Sequence, residues 1–211
     1  VGVEEKVVVL LNNTASNVHA VHTIFGGNNV DDMLDVVPEI RLLKGKVNTV
    51  YAGANNGVMG AKKSNEFKDV LGNAVADVST HVQLNSEDVT IIDTLFGGSR
   101  MSNIEGNTFV EVVNTNASGV NYIFGGNDIS GTISGTTRID VSGGTVHNIF
   151  GGSDGRYDFV EIGHNEYAIY PFNSVPDDSA NHRITIAGYL EIDSTNINIW
   201  GGTVGTPTGG V

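Results

Sequence analysis

One short element recurs along the chain and limits what it can fold into: an aliphatic residue, an aromatic residue, then two small residues. It occurs as Ile24-Phe25-Gly26-Gly27, Val50-Tyr51-Ala52-Gly53, Leu95-Phe96-Gly97-Gly98, Ile123-Phe124-Gly125-Gly126, Ile149-Phe150-Gly151-Gly152 and Ile199-Trp200-Gly201-Gly202. The aromatic positions lie 26, 45, 28, 26 and 50 residues apart. Three intervals agree and two are longer by about 20 residues, so the simplest account is a unit of about 26 residues with two insertions.

The unit extends beyond its corner. Upstream of five corners lies an apolar–polar–apolar triplet: Ile40-Arg41-Leu42, Val82-Gln83-Leu84, Val110-Glu111-Val112, Ile139-Asp140-Val141 and Leu190-Glu191-Ile192. That alternation marks a half-buried strand. A turn follows, signalled by Gly45, Asn85, Asn114 or Gly143-Gly144. Four residues before the aromatic stand Val21, Val47, Ile92, Val120, Val146 and Asn196; two before it stand Thr23, Thr49, Thr94, Tyr122, Asn148 and Asn198. Stacked coils would bring such equivalents about 4.8 Å apart and build ladders of like side chains. Which of the aliphatic and aromatic neighbours faces inward stays open; a bend between them would bury both. The glycine pairs are expected to supply positive φ at a sharp turn. Ala52 in the first small position implies that the second glycine is the more demanding, so Gly126→Ala should cost more than Gly125→Ala.

A β-propeller blade needs about 40–45 residues, and neither the nonapeptide calcium repeat nor the leucine-rich consensus is present. The expected fold is therefore all-β: a right-handed, single-stranded parallel β-helix of about six coils, forming one domain over residues 1–211. Val, Ile and Thr between the corners suit strands. The chain reads as a piece of a longer protein, because strand-like sequence begins at Val7 with no signal peptide before it and a repeat runs close to Val211.

A net charge of −13 sets the chain against nucleic acid and anionic membranes. With no Cys, disulfides and thiolate metal sites are excluded. No stretch approaches the roughly 18 apolar residues of a membrane span.

The run Ile139-Asp140-Val141-Ser142-Gly143-Gly144-Thr145-Val146-His147-Asn148-Ile149-Phe150-Gly151-Gly152 resembles repeats of large adhesin-like proteins on bacterial cell surfaces, which read as strand, Ser-Gly-Gly-Thr-Val, two residues, then Val/Ile-Tyr/Phe-Gly-Gly-Gly. The other coils share only the corner, and Asn28, Ser99, Asn127, Ser153 and Thr203 stand where that pattern has its third Gly. The resemblance implies a β-helix in an extracellular or surface-attached bacterial protein and carries no catalytic residues.

Function is then expected in what varies between corners. The first insertion, about 54–76, holds Phe67, Val70, Leu71, Ala74, Val75 and, just beyond it, Val78 at helical spacing, with Ser64 or Asn65 as an N-cap; it predicts a small helix or loop against the side of the solenoid. Lys62, Lys63 and Lys68 make it the most basic stretch, open to acidic glycans. The second insertion, about 154–182, concentrates aromatic residues. Tyr157, Tyr167 and Tyr170 are the candidate ligand-binding rings, since an exposed ring stacks on a sugar and a buried one anchors a loop. Asp128 and Asp154 follow successive corners at equivalent positions, where adjacent coils would bring them together as a candidate Ca²⁺ site; no other cofactor is implied. Phe25, Gly27, Tyr51, Gly53, Phe96, Gly98, Phe124, Gly126, Phe150, Gly152, Trp200 and Gly202 are read as architecture. The leading expectation is a non-catalytic adhesion module contacting glycans or host surface proteins. A polysaccharide lyase or glycoside hydrolase is the alternative, and a stalk of coils associating end to end is a third.

Overall fold

The computed structural model describes residues 7–13, 21–164, 166–171, 184–187, 190–199 and 203–204, which contain strands and no helix. Strands β1 (Val7–Asn12) and β2 (Val21–Phe25) both pair in parallel with β3 (Pro38–Tyr51), one with its first half and the other with its second. Gly45 divides those halves with φ 123°, a conformation that side chains resist, so the turn residue singled out from sequence does bend the chain between two faces. Strands β4 (Phe67–Lys68) and β5 (Ala74–Val75) form a small antiparallel hairpin. The solenoid resumes with β6 (Val78–Asn85), β7 (Val89–Phe96), β8 (Asn107–Asn114), β9 (Val120–Phe124), β10 (Gly131–Val141) and β11 (Thr145–Phe150). Strands β12 (Tyr157–Gly163), β13 (Glu166–Pro171) and β14 (Ile184–Ala187) form a separate antiparallel sheet, and β15 (Leu190–Ile199) and β16 (Thr203–Val204) return to the stack.

One face is the parallel series β1, β3, β6, β8, β10, β15; the next is β2, β3, β7, β9, β11, β16. The third face is narrow, built from single bridges Met33–Met59–Ile104–Ile133. The chain is thus a β-solenoid of about five turns. The expected triplets align: Ile40 with Val82, Val82 with Val110, and Val110 with Ile139. They meet the aliphatic corner residues in the lumen, where Ile40, Leu42, Val50, Val82, Leu95, Val110 and Ile123 have no exposed surface. Burying such a side chain stabilises by about 1.5–3 kcal/mol.

The register corrects three expectations. Ile91, not Ile92, lies opposite Val47, because the pairing shifts by one residue between Val47 and Thr49. Leu190 and Ile192 pair with Gly131 and Ile133, while Ile197 and Ile199 pair with Ile139 and Val141. The segment Asn196–Ile199 therefore occupies the upstream strand of its turn and not the approach to a corner; Trp200 and Gly202 lie outside the described residues. The corner glycines also owe their identity to something other than φ. Positive φ occurs at Gly45, Gly72, Gly119, Gly131 and Gly144 and at none of Gly26, Gly27, Gly97, Gly98 or Gly125. At these corners the stacked turns leave no room for a side chain. A Cβ on Gly97 would meet the Gly125 carbonyl oxygen at 2.6 Å, and one on Gly125 the Gly151 oxygen at 2.5 Å.

The insertions are β structure as well. Met59 and Val78 pair with Ile104 and Asn107, which are close in sequence, so the first inserted stretch lies between Met59 and Val78 and starts later than its composition suggested. It forms the β4–β5 hairpin and not a helix. Asp69 holds the turn, accepting from the Leu71 and Asn73 amides at 3.0 and 2.8 Å, and Gly72 takes φ 83°. Phe67 packs against the buried His81 ring at 4.5 Å, and Phe109 lies beyond it at 5.2 Å.

Candidate functional site

Alternation along a strand sends neighbouring side chains to opposite faces. The aliphatic corner residue enters the lumen and the aromatic one joins a second cluster. There Phe25, Tyr51, Phe96, Phe124 and Phe150 stack face to face, with centroids 4.9, 4.9, 5.2 and 4.8 Å apart and planes within 14°. The spacing is that of the strands. Both corner residues are therefore buried in the central turns, in separate places. Phe96 is 1% exposed, but Phe150, the last of the described rings, is 45% exposed.

The residues after each corner form two further ladders. At the third position, side-chain oxygens accept from the backbone of the preceding turn: Ser99 Oγ from the Ala54 amide at 3.0 Å, Asn127 Oδ1 from Ser99 at 2.7 Å and Ser153 Oγ from Asn127 at 2.9 Å. These bonds give Ser99, Asn127 and Ser153 a structural role at that position. At the fourth position stand Asn29, Asn55, Arg100, Asp128 and Asp154. Asn55 Nδ2 donates to Asn29 Oδ1 at 2.8 Å, and Arg100 Nη1 donates to Asn55 Oδ1 at 3.4 Å.

Asp128 and Asp154 do fall on adjacent turns, and both are buried. Asp128 Oδ2 accepts from the Tyr51 hydroxyl at 2.7 Å, while its Oδ1 is buried without a hydrogen-bond partner. Burial pushes the Asp128 carboxyl above the usual range; the Tyr51 hydrogen bond opposes this, and the charge of Asp154 adds to it. The Tyr51 hydroxyl is pushed up by burial and then by Asp128. Asp154 accepts from Arg156 twice, from its amide at 3.2 Å and from Nε at 2.5 Å. Burial works against the Arg156 charge, but the bond to Asp154 and its proximity hold the guanidinium protonated. The acidic pair is thus already faced by Arg156 and Arg100. Among the described residues no group of three or more His, Asp or Glu side chains gathers as metal ligands.

A groove of about 340 Å³ opens at this end of the aromatic ladder, lined by Tyr122, Phe124, Phe150, Ser153, Asp154, Gly155 and Arg156. Tyr122 is 41% exposed. Tyr157 stands at the start of β12, half-buried, close enough to Asp128 for that carboxylate to raise its hydroxyl after burial has done so. Tyr167 and Tyr170 lie on β13 opposite Glu161 and Asp158; their side chains are outside the described set. Sequence reasoning had the acidic pair and Tyr157 but passed over Phe150 and Tyr122 as architecture and did not single out Arg156. The available signal was positional, since Phe150 belongs to the last regular corner before the long insertion.

No protein-family model, curated protein or solved structure matches the chain significantly.

Proposed function

We propose that the chain is a non-catalytic binding module of a bacterial extracellular or cell-surface protein, and that it takes carbohydrate in the groove beside Phe150. The observation that carries this reading is the exposure of Phe150, the last described ring of the aromatic ladder. Tyr51, Phe96 and Phe124 each have a ring on both sides; Phe150 has a described ring on one side only and is exposed in the groove. An exposed ring face held flat by its stacked neighbours is preorganised for the apolar face of a sugar. Tyr122 stands beside it with a hydroxyl for the sugar's polar rim.

A glycan array with the wild-type chain and Phe150→Ala tests this. We expect a restricted set of oligosaccharides to bind wild type and to be lost in the variant. Binding that survives Phe150→Ala, or no binding at all, would overturn the reading. One observation favours a hydrolase or lyase instead: Asp128, raised by burial, sits beside Asp154. Against it, Asp128 does not line the groove and both Asp154 oxygens are engaged by Arg156. No release of reducing or unsaturated ends from array-positive polysaccharides is expected.

A further inference from the structure

We infer that the sugar held in this groove carries a carboxylate, an inference that rests on the binding reading above. It follows from which polar groups lining the groove remain free. Asp154 would be the natural acceptor for hydroxyls of a neutral sugar, but it is buried and accepts from Arg156 through both oxygens. Ser153 Oγ already accepts from the Asn127 amide, which leaves its hydroxyl proton to donate. Arg156 is anchored through Nε while its side chain is 62% exposed. Its two Nη groups have no partner among the described residues and can only donate. The groove therefore offers an aromatic floor and a fixed fork of donors, with the Tyr122 hydroxyl as the side-chain group left to accept from a ligand. A fork held by a neighbouring carboxylate suits a planar anion taking two parallel hydrogen bonds. The net charge of −13 works against dense polyanions at long range. A uronic-acid sugar, with one carboxylate per ring and an apolar ring face, fits both the floor and the fork better than a sulfated chain.

The test is calorimetric titration of the wild-type chain with oligogalacturonate and oligoglucuronate, beside their methyl esters, which keep the ring and remove the charge. We expect the acids to bind and esterification to weaken them by about 10-fold or more, the scale of a charge-assisted bidentate contact. Arg156→Gln should reduce acid affinity toward that of the ester, and Phe150→Ala should abolish both. Circular dichroism checks that the variants fold; the ester comparison needs no variant. Esters binding as tightly as acids, with Phe150→Ala still destructive, would overturn the carboxylate inference and leave sugar binding standing. Binding of neutral oligosaccharides alone would do the same. No binding of any sugar would overturn both.

Discussion

A carboxylate shielded as Asp128 is must answer for its desolvation, and among the described residues the only hydrogen bond it receives comes from a tyrosine two turns away. Its proton is held more tightly in the folded chain than in the unfolded one. The stability it contributes is therefore fully present below its ordinary value of 3.8 and is lost as pH rises through the raised folded value. Asp128→Asn keeps an acceptor for Tyr51 and removes the charge. Its Tm, relative to wild type, should climb between about pH 3 and about pH 7 in thermal scans; a flat difference would mean the carboxylate is better compensated than its surroundings suggest. Tyr51→Phe leaves that carboxylate without its partner and should cost about 1–3 kcal/mol in urea titrations. The corner glycines give another residue-scale expectation. An alanine at Gly125 presses on the next turn's backbone, which cannot move aside as a side chain can, so about 1–3 kcal/mol of destabilisation is expected. Threonines add a recurring contact that sequence reading did not find: Thr80, Thr108 and Thr137 donate to the carbonyls of Gly97, Gly125 and Gly151 at 2.6, 2.6 and 2.5 Å.

At the scale of elements, the β4–β5 hairpin covers the outer face of the first sheet. Phe67, the His81 and Phe109 rings, and the Arg138 guanidinium over Phe109 at 5.6 Å continue the habit of stacking equivalents on successive turns. Asp69 links the hairpin to Arg138 at 3.3 Å as well as closing its turn. Phe67→Ala should expose His81 and free the hairpin, costing about 3–5 kcal/mol and bringing proteolytic cleavage into the stretch between Met59 and Val78. Why this element escaped sequence reading is physical. Phe67, Val70, Leu71, Ala74 and Val75 fit a helical period, but Asp69, Gly72 and Asn73 supply a tight turn whose side-chain hydrogen bonds outweigh that pattern. The strands of the solenoid were legible because each repeats a two-residue alternation against the same neighbour. The second insertion offered no such repeat, and its aromatic richness did not reveal an antiparallel sheet.

For the whole molecule, the regular corners define a ladder whose last described ring, Phe150, is the exposed one. The architecture could be read from the aromatic positions because each ring lies on its equivalent one strand spacing away. The exposed ring could not, because Phe150 sits in the same Ile-Phe-Gly-Gly corner as the buried Phe124. Asp154 repeats the position of Asp128, but its partner Arg156 stands where the previous turn has Ser130. The central claim is that this last ring face receives the sugar. Side-chain NMR of selectively labelled Phe and Tyr, during titration with an oligosaccharide that binds the chain, tests it most directly. Ring resonances of Phe150 and Tyr122 should shift with the binding isotherm while those of the enclosed Phe96 stay fixed. Unmoved Phe150 and Tyr122 signals, with shifts at Phe67 or elsewhere on the β4–β5 hairpin, would contradict the account.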